Sequence, residues 1–197
     1  MLKSAKCFGR YRESRAVEFK RSENWDSLKA KIVKSSMAMS NLSDGGLIII
    51  GIDEDNKKYQ RGGLKSDHLA SYSYDIVLSY INSYAEPHIS LNYHLVEDPD
   101  NELKKFIVLD ILSFSLVPTI CAKDGIENLR KGAIYIRSTR IPETAEIRSY
   151  SEMRELIDLA TERSIRKFLG QMQRLDLTLK DQMVSSAQMF ENELNGL

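Results

Sequence analysis

The chain has 197 residues, of which 42% are apolar and 28% charged, a composition typical of an ordinary globular protein. The formal net charge of zero hides an asymmetry, because residues 1–40 carry ten Lys and Arg against four Asp and Glu, net +6, whereas residues 41–119 carry six against twelve, net −6. No stretch of 18 apolar residues occurs, which excludes a transmembrane helix, and the polar N-terminus lacks the apolar core of a secretion signal, so we expect a cytoplasmic protein.

Composition and spacing divide the chain into three parts. Residues 1–12 are polar and basic without periodicity, and we interpret them as an arm. Residues 13–160 alternate predicted strands and helices as one α/β domain, and residues 161–197 form a helical tail for oligomerisation or partner binding. The two cysteines, Cys7 and Cys121, are too few for a disulfide framework and lack metal-ligand spacing.

The first strand and the first helix follow the arm. Residues 16–20 alternate apolar and polar side chains, which predicts a short strand. Residues 25–39 place apolar side chains at helical spacing and predict an amphipathic helix, which Ser22 or Asn24 can cap. The outer face of this helix is basic and carries Lys29, Lys31 and Lys34.

A glycine turn leads into a buried strand. Gly45 and Gly46 permit a positive φ and a close backbone approach, and their N–H groups can form a nest for a phosphate, although a plain turn has the same composition. Residues 47–52 are an apolar and mainly β-branched run, which predicts a strand buried on both faces. An acidic turn over residues 53–56 is expected to follow.

The tail differs in pattern from the rest of the chain. Before it, periodicity and turn residues predict a helix over 66–84, strands over 89–97, 104–112 and 133–137, and a helix starting at 151–160. From 165 to 194, apolar side chains recur every three or four residues, which predicts one long helix, or two helices joined near Gly170, with a single apolar seam. We expect the seam of 165–197 to hold a homodimer or a higher oligomer; docking of a separate partner protein is the alternative.

Three carboxylates are candidates for metal-assisted chemistry. Glu18 and Lys20 share one face of the first strand, and Asp53 follows the buried strand, at the end where open α/β sheets bind ligands. If the two strands are neighbours, Glu18 and Asp53 converge, and Glu13 folds in from the arm. Such carboxylates repel one another unless a cation is present, and Mg²⁺ or Mn²⁺ would hold a scissile phosphate while Lys20 stabilises the developing charge. An exposed strand face followed by an acidic turn is the alternative.

Nine basic residues are candidates for contacts with a phosphate backbone, provided that they cluster on one face. They are Arg15, Arg21, Lys29, Lys31, Lys34, Arg130, Lys131, Arg137 and Arg140. Taken singly, each is a solvated surface residue. No G-x-x-x-x-G-K-[ST] phosphate loop occurs, since the nearest match at 62–66 lacks that spacing, so no ATP is expected.

Several of these residues together resemble the Schlafen-type AlbA domain. The resemblance rests on Glu13-Ser14-x-x-Val17-Glu18-Phe19-Lys20, on Gly45-Gly46 before the run that ends at Asp53, and on Ala133-Ile134-Tyr135-Ile136-Arg137-Ser138 before the last helix. It covers roughly residues 13–157. It implies an α/β (α+β) domain, in which a mixed sheet is flanked by helices, and usually nucleic-acid binding.

The resemblance also implies an activity. Animal Schlafen proteins are similar to metal-dependent endoribonucleases acting on structured RNA such as transfer RNA, and their acidic triad corresponds to Glu13, Glu18 and an acid after the buried strand, Asp53 or Glu54. This implies a divalent-metal-dependent endonuclease that prefers RNA to DNA, with Mg or Mn held by these acids, Lys20 beside the phosphate, and a role in bacterial phage defence.

Other functions stay open beside the nuclease. They are a non-catalytic DNA-binding regulator, an ATP-binding protein and an interaction protein that acts through its tail. Animal Schlafen cores have two tandem lobes, whereas this chain has one, so a two-lobed groove would require a dimer.

Overall fold

The computed structural model describes residues 13–55, 58–138 and 143–194; the arm predicted over 1–12 and Arg140 lie outside them. Two compact units are present, Met1–Leu156 and Ile157–Leu197. The mixed α/β class predicted from the sequence is confirmed. The elements in chain order are β1 (Val17–Lys20), α1 (Trp25–Ser40), β2 (Gly46–Ile50), β3 (Ile52–Asp55), β4 (Lys58–Arg61), α2 (Ser66–Ala70), α3 (Tyr74–Asn82), β5 (Ala85–Glu86), β6 (Leu91–Asp98), β7 (Asn101–Ile111), β8 (Ile120–Cys121), β9 (Tyr135–Arg137), β10 (Thr144–Glu146) and α4 (Tyr150–Leu194).

A four-stranded mixed sheet in the order β1-β2-β7-β6 forms the centre of the first unit. β1 and β2 are parallel, with Glu18 opposite Ile48, and α1 is the crossover helix that parallel neighbours require. Ile48 and Ile50 pack into the larger core together with α1, whereas Ile49 packs on the opposite face of the sheet against Phe19 and Phe106. β2 is therefore buried on both faces, as its unbroken apolar run predicts.

The buried strand ends earlier than predicted. β2 stops at Ile50, and Gly51 adopts a φ of 112°, so the chain leaves the sheet. A side chain at this position would meet the Phe106 ring, since a Cβ there would lie 2.9 Å from it. The prediction of an acidic turn over 53–56 is wrong at its start, because Asp53 lies within β3 and is paired with Gln60 of β4.

The first helix begins and ends close to the predicted residues. Asn24 caps α1, since its side-chain oxygen accepts a hydrogen bond from the Ser27 N–H at 3.0 Å. Eleven of the sixteen residues of α1 are buried, so the helix is a central element of the core. Its non-buried positions in the middle turns include Lys29, Lys31 and Lys34, which confirms the basic outer face.

The helix predicted over 66–84 is two helices, α2 and α3. The break is stabilised by Ser71, whose hydroxyl donates to the His68 carbonyl and accepts from the Trp25 N–H at 2.9 Å. Tyr72 is buried there, and Ser73 caps α3 through the Ile76 N–H. Side-chain bonds that connect this break to the start of α1 thus override the helical periodicity.

The predicted C-terminal helices are one continuous helix, α4, which runs through Gly170. The second unit, over its described residues, is the greater part of this helix. None of the helices in the described part of the chain combines the length and the apolar character that a membrane crossing needs.

Candidate functional site

An open cleft of about 620 Å³ lies in the first unit, between β1, α1 and the segments that carry residues 127, 137, 143 and 144. We refer to it as the charged cleft, because eight of its ten lining residues are acidic or basic. The lining residues are Glu13, Glu18, Lys20, Lys31, Lys34, Ser35, Glu127, Arg137, Glu143 and Thr144. The charged cleft therefore contains residues from both predicted groups, the acids and the bases.

Glu18 and Lys20 lie on the same face of β1, as strand alternation predicts, and they form an ion pair. Glu18 is only 6% exposed. Its Oε1 accepts a hydrogen bond from the Ser35 hydroxyl of α1 at 2.9 Å. Its Oε2 accepts from Nη1 of Arg137 at 2.7 Å. Both carboxylate oxygens are thus already paired.

Arg137 is a buried residue of β9, 2% exposed, that also lines the cleft, and its contact with nucleic acid stays a prediction. Besides Glu18, its guanidinium donates to the carbonyl of Ser14 at 3.0 Å and to that of Arg15 at 3.3 Å. A buried arginine needs such partners, because an unpaired charge in the interior is strongly unfavourable. The physical role of Arg137 is therefore to hold Glu18 and the segment before β1.

Glu13 also lines the cleft, as predicted. Its Oε1 accepts a hydrogen bond from the Phe19 N–H at 2.9 Å, which folds the residues before β1 back onto the strand. Burial raises the pKa of the Glu13 carboxyl, and the nearby charge of Glu18 adds to the increase. Glu13 is thus a carboxyl that takes up a proton more readily than an exposed glutamate.

The third predicted acid is not in the cleft. Asp53 and Glu54 lie on β3, beyond the bend at Gly51, and neither lines the cleft. Asp53 packs against Gly62, and a Cβ added to Gly62 would overlap the Asp53 carboxylate. Among the described residues, no three His, Cys, Asp or Glu side chains are grouped so that they could hold a metal ion. The donor set of the cleft therefore does not fit the three-carboxylate metal site that the resemblance implies.

The two glycines of the predicted phosphate nest serve packing. Gly45 has a φ of 71°, and a Cβ on it would overlap the carbonyl of Ile111. A Cβ on Gly46 would lie 2.8 Å from the side chain of Met39. Both glycines are buried and neither lines the cleft. The turn lets β2 approach β7 and α1 closely, and the Gly45 N–H already donates to the Leu42 carbonyl.

Two predicted phosphate-binding lysines line the cleft from α1. Lys31 is exposed, whereas Lys34 is half-buried, donates from Nζ to the Glu127 carbonyl at 3.1 Å and lies 5.3 Å from the centre of the Tyr135 ring. Lys31 and Lys34 are three residues apart, so they share one side of the helix with Ser35. Together with Lys20, they place three ammonium groups around one cleft.

The other predicted basic residues lie outside the cleft lining. Arg15 makes two hydrogen bonds to Glu155, at 2.6 and 2.8 Å, and Arg21 pairs with Glu23, which raises the pKa of Arg21 through their hydrogen bond. The remaining members are Lys29, which pairs with Asp26, Arg130, which pairs with Glu146, and the exposed Lys131.

Four lining residues were not among the site residues predicted from the sequence. Ser35 lies one helical turn beyond Lys31, so the helix pattern alone was sufficient to find it. Glu127, Glu143 and Thr144 come from irregular segments or a short strand, where no periodicity predicts a direction. Glu127 has a φ of 60°, and its carbonyl accepts the hydrogen bond from Lys34, so tertiary contacts hold this loop at the cleft.

The chain matches one family model and is similar to several solved structures, two of which follow. The family model described as Schlafen, AlbA_2 matches residues 13–145. The DIP2311 protein from Corynebacterium diphtheriae is 13% identical with a TM-score of 0.44, over 68% of this chain and 22% of that one. The N-terminal domain of a protein described as related to the ATP-dependent DNA helicase RecG, from Nitrosomonas europaea, is 16% identical with a TM-score of 0.46, over 74% of this chain and 92% of that one. This chain thus spans about a fifth of the DIP2311 protein. No curated protein matches.

Proposed function

Because this chain belongs to the Schlafen, AlbA_2 family, we propose that it binds nucleic acid in the charged cleft. The observation that supports the proposal is the position of three lysines, Lys20 on β1 and Lys31 and Lys34 on α1, around one open cleft. Ammonium groups gathered in this way can follow the phosphates of a nucleic-acid backbone and release its counterions.

The acidic residues of the cleft change its charge but do not exclude the binding of a phosphate. The charge of Glu18 is compensated by Arg137 and Lys20, so it does not repel a phosphate as a free carboxylate would. Glu127 and Glu143 are exposed. The cleft is therefore not uniformly positive, and we expect binding that depends strongly on Lys31 and Lys34 and weakens steeply with salt.

Cleavage of RNA is a second candidate, and Glu13 favours it. A carboxyl with a raised pKa beside three lysines is suited to transfer a proton at a phosphate, as general acid–base catalysis requires. A preference for RNA over DNA comes from the resemblance to animal Schlafen proteins. We include this preference for RNA, and a role in phage defence, in the proposal that the chain cleaves RNA.

The experiment measures binding by fluorescence anisotropy, with an RNA hairpin and a DNA hairpin of matched sequence, across a salt series. Replacing Lys31 and Lys34 together by Ala is expected to reduce the slope of log affinity against log salt by about one to two units. The control replaces Lys65 and Lys105, two lysines outside the cleft, and is expected to leave the slope unchanged. Absence of binding to both hairpins at low salt would refute the proposal, and gel analysis of the same samples tests cleavage.

We also propose that the second unit pairs with a second copy of itself. Between residues 165 and 175 of α4, five apolar side chains are each at least half exposed: Ile165, Phe168, Leu169, Met172 and Leu175. Four of them, at 165, 168, 172 and 175, follow the alternating three- and four-residue steps of a coiled-coil seam.

The residues that flank this seam indicate which partner binds it. Between residues 165 and 175 the positions next to it, Leu169 and Gln171, are uncharged, whereas Arg166, Lys167 and Arg174 lie at other positions of the heptad, and Asp176 is the next flanking residue. Two identical helices can therefore meet along the seam without like-charge repulsion. A partner selected by charge would find no charged group at these positions, so a second copy is the occupant that we propose.

A further inference from the structure

The buried guanidinium of Arg137 lies in the charged cleft beside Glu18, the carboxylate at which the family resemblance implies a divalent metal. We infer that the guanidinium of Arg137 takes the place of a metal ion beside Glu18, so that the cleft binds nucleic acid without divalent metal. The part of this inference that concerns nucleic acid rests on the proposed function. The part that concerns the metal does not.

The first step is that Glu18 has no free oxygen to offer. Its Oε1 holds the Ser35 hydroxyl at 2.9 Å and pairs with Lys20, and its Oε2 holds Nη1 of Arg137 at 2.7 Å. The residue is 6% exposed, so little of its surface is accessible to a solvated ion. A metal ion that binds Glu18 has to displace two cations from a buried carboxylate.

The second step is that Arg137 cannot easily leave. Its guanidinium also donates to the carbonyls of Ser14 and Arg15, and it is 2% exposed. An arginine does not lose its proton in a protein, so this positive charge is permanent. Moving it away would remove one donor from Glu18 and from each of two backbone carbonyls in the interior.

The third step concerns the remaining donors. Glu13 already accepts the Phe19 N–H, and the described residues contain no group of three metal-ligating side chains. A dication held by Glu13 would lie in the same cleft as Lys20, Lys31 and Arg137, whose positive charges repel it. Arg137 thus supplies beside Glu18 the fixed positive charge that a metal ion would otherwise provide.

The test uses the full chain and Mn²⁺ as the probe. Thermal unfolding is measured in EDTA and across a Mn²⁺ series at constant ionic strength, and we expect no saturable rise in the midpoint. Binding of the RNA hairpin is measured under the same conditions, and its Kd is expected to differ by less than about twofold between EDTA and Mn²⁺. A saturable rise of the midpoint with Mn²⁺ would overturn the inference.

Two variants identify the role of each carboxylate. Glu18→Gln is expected to lower the midpoint by the same amount in EDTA and in Mn²⁺, because it breaks the pair with Arg137 rather than a metal site. Glu13→Gln is the second test variant and is expected to leave the response to Mn²⁺ unchanged, and Glu86→Gln, at an exposed residue outside the cleft, is the matched control. A Mn²⁺-induced rise in the wild type that either variant abolishes would assign a metal site to that carboxylate.

The outcomes of the two proposals remain separable. If Glu18→Gln does not fold, the Mn²⁺ series on the wild type still decides whether a metal binds. If the chain binds neither hairpin, the proposed function fails, and the thermal series still tests the metal inference on its own. Binding of RNA that EDTA abolishes would overturn the inference while supporting the proposed function.

Discussion

Glu18 and Arg137 show how burial changes the role of a charged residue. On an exposed strand, each would interact weakly with its neighbours, since surface ion pairs contribute about 0–1 kcal/mol. Here both are buried and bonded to each other, and removing one partner of such a pair costs about 3–5 kcal/mol. The pair connects β1 to β9, and it fixes the neighbouring Lys20 through Glu18.

Glu13 gives a prediction about pH at this same scale. Burial raises the pKa of its carboxyl, so the folded state binds a proton more readily than the unfolded state. Its contribution to stability is complete below the ordinary glutamate pKa of 4.5 and is lost as the pH rises through the higher folded value. Glutamine does not ionise, so the Glu13→Gln variant does not lose this stability as the pH rises. We therefore expect the variant to gain stability relative to the wild type as the pH rises from 4 to 7.

The measurement is the thermal midpoint of both proteins between about pH 4 and 7. The difference between them is expected to grow with pH and to level off above the folded pKa of Glu13. Glu86→Gln is the control, because Glu86 is exposed and lies outside the cleft. A midpoint difference for Glu13→Gln that stays constant with pH would contradict the assignment.

At the scale of elements, glycines decide where the central strand starts and ends. Gly45 lets the turn before β2 approach the carbonyl of Ile111 on β7, and Gly51 turns the chain out of the sheet after Ile50. The second bend carries Asp53 into the β3–β4 hairpin instead of leaving it at the end of β2. A single backbone conformation thus separates Asp53 from Glu18.

Gly45→Ala and Gly132→Ala separate two effects of replacing a glycine: the backbone strain at a positive φ and the clash of the added Cβ. Both positions have a positive φ, 71° and 79°, but a Cβ on Gly45 overlaps a backbone carbonyl, whereas one on Gly132 has nothing within 4 Å. We expect Gly132→Ala to lower the free energy of unfolding by about 1 kcal/mol, from backbone strain alone. Gly45→Ala adds a clash and is expected to cost roughly 2–4 kcal/mol. Urea unfolding measures both, and equal losses would show that packing at Gly45 relaxes.

At the scale of the whole molecule, α4 is the element that a single chain leaves apolar and exposed. A half-exposed Phe168 or Met172 gives up part of the roughly 1.5–3 kcal/mol that full burial of such a side chain contributes. Pairing of two seams recovers this contribution at several positions at once. Linking two clefts in one assembly would also increase nucleic-acid affinity through avidity.

Light scattering at micromolar concentration tests the pairing. We expect the full chain to be a dimer or a higher even-numbered oligomer, and deletion of 165–197 to give a monomer. Replacing Phe168 and Met172 together by Ser is expected to weaken the association, whereas Leu103→Ser, at an apolar residue of β7 that is 91% exposed, is expected to leave it unchanged. A monomeric full chain of 22.5 kDa would rule the proposal out.

The amino-acid sequence by itself determined the elements whose signal is local. β1 and α1, the burial of β2 on both faces and the shared face of Glu18 and Lys20 follow from periodicities of two and 3.6 residues and from short-range capping. The arrangement of Glu13 five residues before Glu18 is local in the same sense. Both line one cleft because a hydrogen bond folds Glu13 back onto β1.

Only the tertiary structure decided what these residues face. Arg137 meets Glu18 across 119 positions of the chain, and no local pattern reports whether an arginine at the end of a strand points into the core or into solvent. Asp53 lies away from Glu18 because Gly51 leaves the sheet where the Phe106 ring packs, a contact across 55 residues. Contacts over such separations depend on the packing of whole elements, and packing is a property of the folded chain rather than of any segment.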